Sequence, residues 1–227
     1  MAFDMIFAGI DTVGLTCFDI ESSNKFTRNS FQTSSALAFT IYSLAKNPEK
    51  QEKLRAELMK IMPDENTPLT EGNMKNLPYL RAVMKESLRL YPPAAMNMRR
   101  VTSDNFVLHG YQIPKGVDVL LGMMTLYRDP KYFEKAMEFI PERFLRPESS
   151  VEACPMSLRQ KHSFAYLPFG YGPRFCVGKR FAEMEIETFL CRIIRKYKIE
   201  WHYPDMTLQP AMVLLPGSEL RFRFEKL

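Results

Sequence analysis

The sequence is poor in the residues from which metal sites and disulfide frameworks are built. Its 227 residues include only four cysteines and three histidines. The cysteines lie far apart and none belongs to a C-x-x-C pair; they are Cys17, Cys154, Cys176 and Cys191. Zinc modules and disulfide scaffolds need closely spaced or paired ligands, so neither class is expected here.

Long apolar runs and blocks of one charge are also missing. No stretch approaches the roughly 18 apolar residues that cross a bilayer, and neither a signal peptide nor an Arg/Ser-rich presequence is visible after Met1. The 31 Lys+Arg against 26 Asp+Glu give a net charge of +5. Because the basic residues are spread along the chain, we expect no nucleic-acid binding. With 46% hydrophobic residues, the composition predicts one globular domain or at most two small ones.

Hydrophobic periodicity predicts several helices. Apolar residues recur at helical spacing in four groups: Leu37, Ile41 and Leu44; Leu54, Leu58 and Ile61; Leu80, Val83, Met84 and Leu88; and Ile186 to Tyr197 after Gly178. Prolines mark three boundaries, since Pro48 ends one helix and opens the next, and Pro92-Pro93 stops the third.

Two segments have the pattern of strands. Residues 106–121, FVLHGYQIPKGVDVLL, contain short β-branched runs broken by turn residues and predict a small sheet. Residues 219–227, ELRFRFEKL, alternate apolar and charged residues and predict a half-buried strand. Residues 127–137 and 142–161 are expected to be ordered but irregular. The fold class is therefore mainly α with small β-sheets.

The strongest chemical signal is the sequence FGYGPRFCVG at residues 169–178. It places Cys176 just before a long helix, where the helix dipole and free N–H groups favour the thiolate form of cysteine. The glycines allow a flat cofactor to approach the backbone, and the guanidinium of Arg174 is suited to a carboxylate. The alternative is a buried free cysteine in a Gly/Pro turn.

This loop resembles the cysteine-pocket signature of the cytochrome P450 family, the haem-thiolate monooxygenases. Three further motifs follow in the family's order: AGIDT at residues 8–12, the Glu86-x-x-Arg89 pair, and PERF at residues 141–144. The resemblance covers essentially all of the chain except one insertion. It corresponds to the C-terminal half of the family's fold, so residues 1–227 are interpreted as a partial P450 domain.

The resemblance implies that the chain binds haem b with Cys176 as the axial thiolate on iron. Phe169 would shield the sulfur, and Gly178 would let the following helix pack closely against the haem. Arginines would pair with the haem propionates: Arg174, and one of Arg99 and Arg100, between which the spacing does not decide.

The other motifs imply structural and catalytic roles. Glu86 and Arg89 would form a buried network completed by Arg143, although such a pair on a helix is usually a solvated surface pair. Asp11 and Thr12 would deliver protons and bind oxygen over the distal face of the haem, although an arbitrary Asp-Thr pair is more often a helix cap.

Four basic residues resemble the positions by which mitochondrial members of the family dock an acidic ferredoxin: Arg81, Lys85, Lys179 and Arg180. Solvated surface charge explains them about equally well. The resemblance therefore suggests a location at the mitochondrial membrane and a ferredoxin as the electron donor. The alternatives are the endoplasmic reticulum membrane for the location and a flavoprotein reductase for the donor. Membrane association would depend on an N-terminal part that this chain lacks.

The sequence departs from the family pattern between Val13 and Gln32. Removing these 20 residues joins AGIDT to TSSALAF and restores one continuous helix. Valine codons begin with GT, as introns do, and Phe31-Gln32 can be encoded by a pyrimidine followed by CAG, which is a typical intron end. A retained intron or a gene-model error is therefore one interpretation. A genuine loop is the other.

The residues therefore support two main functions. The first is a monooxygenase that inserts one oxygen atom from O2 into a lipophilic substrate, sterol-like or xenobiotic, with electrons from a ferredoxin or flavoprotein. The second is a non-catalytic fragment. A haem-binding or sensing module without turnover would keep Cys176 but would not need Asp11 and Thr12.

Overall fold

Helices make up most of the regular structure in the part of the chain that the computed structural model describes, which is residues 32–64, 67–104, 106–145, 164–209 and 213–227. The α-helices of these ranges are α1 (Gln32–Lys46), α2 (Pro48–Ile61), α3 (Glu71–Lys75), α4 (Pro78–Leu90), α5 (Met123–Tyr127) and α6 (Lys179–Lys196). Short 3-10 helices lie at Pro141–Phe144 and Gly172–Arg174.

Helix α1 is enclosed by the rest of the protein. Every residue from Ser34 to Ala45 is buried, so the helix has no solvent-facing side. Thr40 and Ser43 donate their hydroxyl hydrogens to carbonyl oxygens one turn earlier, at 2.7 and 2.8 Å. The leucine spacing predicted the helix, but it did not indicate that the polar residues between the leucines are buried as well.

The strands pair as four two-stranded antiparallel sheets. The pairs are β1 (Met96–Arg100) with β4 (Asp118–Gly122), β2 (Phe106–Leu108) with β3 (Tyr111–Ile113), β5 (Tyr197–Glu200) with β8 (Arg223–Lys226), and β6 (Leu208–Gln209) with β7 (Leu215–Pro216). The mainly α fold with small β-sheets that the sequence predicted is confirmed.

Two details differ from the sequence prediction. Residues 106–121 do not form one sheet, because β4 leaves the β2–β3 hairpin and pairs with β1. The hairpin itself closes through His109 and Gly110, both with positive φ, as a two-residue turn requires. Tyr197 does not extend α6 but begins β5, since its backbone is already extended at the helix C-cap.

One hydrophobic core joins helices α1, α2, α4 and α6. Leu44, Leu58, Leu80 and Leu190 come from these four helices and are each fully buried. Burying one such side chain stabilises the fold by about 1.5–3 kcal/mol. Among the described residues, no helix is both long and apolar enough to span a membrane.

Candidate functional site

The loop that carries Cys176 is held by its own backbone. The N–H of Cys176 donates to the carbonyl oxygen of Phe169 at 2.8 Å, and the N–H of Phe175 donates to that of Gly172 at 3.0 Å. Gly170 and Gly172 have φ values of +76° and +74°, which a side chain would strain. The loop therefore folds back on itself and presents Cys176, which is half-buried, just before α6.

A cleft of about 220 Å³ lies against Cys176. Arg174 and Gly178 also line it, and its walls are otherwise mostly apolar, with contributions from α1, α4, α6 and the segment after α4: Ala36, Leu88, Pro93, Ala94, Ala182 and Ile186. A thiol, a guanidinium and apolar walls are the groups that a haem with carboxylate side chains needs. The residues present thus fit the cofactor that the resemblance implies.

Phe169 lies in the same loop and also lines the cleft. It packs against the main hydrophobic core, and the ammonium group of Lys179 lies 5.6 Å from the centroid of its ring. The hydrogen bond between their backbones ties the two residues together, so the backbone positions of Phe169 and Cys176 are coupled.

The two candidate arginines on β1 lie in different surroundings. Arg99 lies against the cysteine loop. If Gly170 carried a Cβ atom, that atom would be 3.9 Å from Nη2 of Arg99. Arg100 is exposed and donates two hydrogen bonds to the carboxylate of Asp118, at 2.8 and 2.7 Å. Those bonds hold the pKa of Asp118 below its ordinary value. Successive side chains of a strand point to opposite faces, which separates the two arginines.

Glu86, Arg89 and Arg143 meet in the interior, and the side chains of all three are fully buried. Arg89 donates two hydrogen bonds to the carboxylate of Glu86, both at 2.8 Å. Arg143 adds one at 3.0 Å, and the N–H of Ile140 adds another at 2.8 Å. The structure therefore makes this a buried network and not the solvated pair that such spacing usually gives.

The remaining guanidinium hydrogens of this network reach backbone carbonyl oxygens. Arg89 donates to the carbonyl groups of Tyr127, Ala136 and Glu138, at 2.8, 2.6 and 3.0 Å. Arg143 donates to that of Glu134 at 3.1 Å. Because two arginines meet one glutamate, these carbonyl dipoles supply the rest of the stabilisation that the buried cations need.

Tyr127 connects this network to the cysteine loop. Its carbonyl oxygen accepts from Arg89, and its hydroxyl oxygen accepts the N–H of Leu167 at 2.9 Å. The carbonyl oxygen of Leu167 in turn accepts the N–H of Gly170 at 2.9 Å. Sequence reasoning missed Tyr127, because a tyrosine at the end of a short helix has no local pattern that indicates such a role.

The four basic residues considered for docking lie near a second pocket, of about 400 Å³. Arg81, Lys85 and Lys179 line it, together with Glu183 and Glu187, and Arg180 is the exposed neighbour of Lys179 in the chain.

The two glutamates partly neutralise this surface. Arg81 Nε lies 3.2 Å from Glu187 Oε1, and Lys179 Nζ lies 3.8 Å from Glu183 Oε1. Sequence reasoning missed both, although Glu183 follows Lys179 at the i,i+4 spacing typical of helical ion pairs.

Several predicted features lie outside the described residues. These are the AGIDT motif with Asp11 and Thr12, residues 13–31 of the predicted insertion, and residues 146–161 of the segment expected to be irregular. Gln32, the last residue of that insertion, is the first residue of α1. The helix that the insertion would interrupt is therefore described only on its C-terminal side.

Comparison with known proteins gives a consistent result. The family model described as Cytochrome P450 matches residues 31–224. The chain is 44% identical over 229 residues to "Probable cytochrome P450 12b2, mitochondrial" of Drosophila melanogaster. It is 41% identical over 229 residues to "Cytochrome P450 CYP12A2" of Musca domestica. Each alignment covers 99% of this chain and 38% of the relative, so the chain spans well under half the length of these proteins.

Proposed function

Because the chain belongs to the cytochrome P450 family, whose members bind haem b through a cysteine thiolate, we propose that it forms the haem-binding part of a monooxygenase. The enzyme would insert one oxygen atom from O2 into a lipophilic organic substrate, sterol-like or xenobiotic. The observation that carries this proposal is the position of Cys176, against an apolar cleft and directly before α6.

The bound haem supplies the binding and activation of O2. Cys176 would hold the iron as an anionic ligand, and its electron donation favours cleavage of the O–O bond. The carbonyl oxygen of Phe169 accepts a hydrogen bond from the N–H of Cys176, which would fix the loop. The ring of Phe169 would keep water away from the sulfur. Gly178 would leave room for the haem beside α6, because it has no side chain.

Arg174 and one arginine of β1 would bind the haem propionates. Arg99 is the better-placed candidate of the two in this conformation, because it lies against the loop, whereas Arg100 is paired with Asp118. Titration of haem into apo-protein compares Arg99→Gln with Arg100→Gln. Weaker haem binding by the Arg99 variant alone supports this assignment; weaker binding by the Arg100 variant alone reverses it.

Glu86, Arg89 and Arg143 would act in folding and not in the reaction, because all three are fully buried. Through Tyr127 they would hold the cysteine loop at the correct distance from the haem. Asp11 and Thr12 would deliver protons to bound oxygen. Thr12→Ala is then expected to uncouple oxygen consumption from product formation, and unchanged coupling would contradict the role.

The electron donor would be a ferredoxin, and the compartment the mitochondrion. Relatives of the chain have names that include the word mitochondrial, and the basic side chains near the second pocket would attract an acidic partner. Lys179→Glu should slow electron transfer from ferredoxin and weaken its salt dependence. Lys115→Glu, in the turn between β3 and β4, is the control. Equal rates in both variants would favour another docking face or a flavoprotein reductase.

Residues 13–32 would be a retained intron or a gene-model error. The support is that their removal restores the helical pattern from Thr12 into α1. Sequencing the transcript across codons 12 to 33 tests this. If the segment is spliced out of at least some mature transcripts, the proposal holds; if every mature transcript keeps it, the loop is genuine, and a non-catalytic haem-binding fragment becomes the better interpretation.

The decisive experiment for the main proposal replaces Cys176 with serine in the full-length protein. Cys176→Ser should abolish the thiolate-type shift of the reduced carbon monoxide complex. Cys191→Ser is the matched control, because Cys191 is on α6 but buried in the main core, and this variant should keep the shift. A Cys176 variant that keeps it would refute the ligand assignment.

A further inference from the structure

A chain of aromatic side chains begins next to the cleft. Ala36 of α1 and Leu88 of α4 line the cleft. Phe39 and Tyr91 follow these residues by three positions, which is about one helical turn. The rings of Phe39 and Tyr91 are stacked, with their centroids 5.3 Å apart. Tyr91 is therefore an oxidisable side chain about one turn away from the cleft wall.

The rings continue from Tyr91 to the protein surface. The centroid of Tyr42 lies 6.0 Å from that of Tyr91 and 5.0 Å from that of Trp201, both with the rings edge to face. Trp201 lies 5.8 Å from Tyr203, which is 48% exposed. Four side chains that can each lose an electron thus form a continuous path from the interior to solvent.

We propose that four side chains form an electron relay that protects the haem site: Tyr91, Tyr42, Trp201 and Tyr203. We call them the aromatic relay. The proposal rests on the haem function proposed above. The oxidant would be peroxide, which takes two electrons from the bound haem group as it is reduced to water when no substrate is bound. The relay would return these two electrons one at a time. Electrons would pass from Tyr203 through Trp201, Tyr42 and Tyr91 to the cofactor, and the oxidation would end at the surface.

The hydrogen bonds of Tyr42 support its part in the relay. Its hydroxyl group donates to Asp205 Oδ1 at 3.3 Å and accepts the N–H of Met206 at 3.2 Å. Burial raises the pKa of Tyr42, so the phenol is protonated at neutral pH. A hydrogen bond from Lys46 holds the pKa of Asp205 below its ordinary value, so its side chain is an unprotonated carboxylate at neutral pH.

The steps balance in protons and electrons. Tyr42 gives one electron to oxidised Tyr91 and its proton to Asp205, and it is restored by one electron from Trp201 and the return of that proton. In sum, each passage gives the cofactor one electron, and Tyr203 loses one electron and its phenolic proton to water; two passages restore the cofactor. A small water-soluble thiol then donates a hydrogen atom to Tyr203 and ends as a thiyl radical, two of which combine to a disulfide.

Packing alone accounts for part of this arrangement, since aromatic pairs stabilise cores through such contacts. A packing role does not require that the row of rings reach solvent at an exposed tyrosine. This reach to solvent distinguishes the relay from an ordinary aromatic cluster. A proton acceptor alone does not, because Tyr79 also donates its hydroxyl to a carboxylate.

The test uses the full-length, haem-loaded protein treated with peroxide without substrate, in the presence of a nitroso spin trap. Peptide mass spectrometry measures the trap adduct on Tyr203, and absorbance measures bleaching of the haem. Tyr42→Phe keeps the ring but removes the oxidisable phenol. Tyr79→Phe is the matched control, because Tyr79 is equally buried and also donates its hydroxyl to a carboxylate, that of Glu142, but is not in the relay.

We expect Tyr42→Phe to lose the adduct on Tyr203 and to bleach faster, while Tyr79→Phe behaves like the wild type. Trp201→Phe should give the same loss and serves if the first variant folds poorly. Equal adduct on Tyr203 in the wild type and both relay variants overturns the relay. The carbon monoxide spectrum separates the two proposals: a protein without haem-thiolate refutes the proposed function, whereas a haem-thiolate protein with unchanged adduct refutes the relay alone.

Discussion

Replacing Glu86 with glutamine tests whether the buried network holds the fold together. The carboxylate of Glu86 accepts four hydrogen bonds: two from Arg89, one from Arg143 and one from the N–H of Ile140. Glutamine has nearly the same shape but only one acceptor oxygen, and its NH₂ group would face the guanidinium groups. Two buried cations would then lack their shared counter-charge.

The expected loss follows from the burial of these groups. Removing one partner from a buried ion pair costs about 3–5 kcal/mol, and an unpaired N–H such as that of Ile140 costs about 1–3 kcal/mol when the remaining oxygen cannot serve it. Whole domains are stable by only about 5–15 kcal/mol. We therefore expect Glu86→Gln to lose at least about 3 kcal/mol and Glu86→Ala to bind little or no haem.

Urea unfolding of the haem-loaded protein at neutral pH, followed by circular dichroism, measures this loss. Glu187→Gln is the matched control, because its partner Arg81 has a side chain that is 42% exposed, and partly exposed pairs contribute about 0–1 kcal/mol. If Glu86→Gln unfolds within about 1 kcal/mol of the wild type, the reasoning about uncompensated buried cations is wrong.

Three further predictions concern stability. Burial alone would raise the pKa of Glu142, but hydrogen bonds and charge from Lys50 and Lys53 leave this pKa below its ordinary value. The ionised carboxylate therefore stabilises the fold above the unfolded pKa of about 4.3, and this stabilisation is lost as the pH falls through the lower folded pKa. Glu142→Gln should accordingly make the free energy of unfolding less dependent on pH between these two values. Gly217→Ala should lower the melting temperature, because the added Cβ would meet the Thr207 hydroxyl oxygen at 2.8 Å, whereas Gly72→Ala, with its nearest atom at 3.8 Å, should not. Tyr127→Phe should cost about 1–3 kcal/mol in urea unfolding, since the N–H of Leu167 loses its acceptor; a variant as stable as the wild type would contradict the proposed link to the cysteine loop.

Much of the helical structure could be predicted because proline acts locally. Pro48 begins α2 as predicted, and α4 ends at Leu90, shortly before Pro92. A missing N–H and a fixed φ act at that position whatever the tertiary surroundings. The cysteine loop was predictable for a similar reason, since its glycines and Cys176 lie within ten consecutive residues.

The rest depends on contacts between distant residues. Strand β1, with the sequence MNMRR, has no strand pattern and forms because β4 lies beside it. The separation of Arg99 from Arg100 follows only once β1 is known to be a strand. The link through Tyr127 depends on Leu167, which is 40 residues later, and sequence periodicity reports nothing at that range.

The contact between Glu86 and Arg143 spans 57 residues, which has a consequence for the order of events on the ribosome. At about 5–20 residues per second, Arg143 is synthesised about 3 to 11 s after Glu86. During that interval Glu86 and Arg89 can already pair within α4, because their contact is local. Docking of the PERF turn must wait for the later segment, and it also requires closing a long loop. We therefore expect the nascent chain to bury this network late, as one of the steps that complete folding.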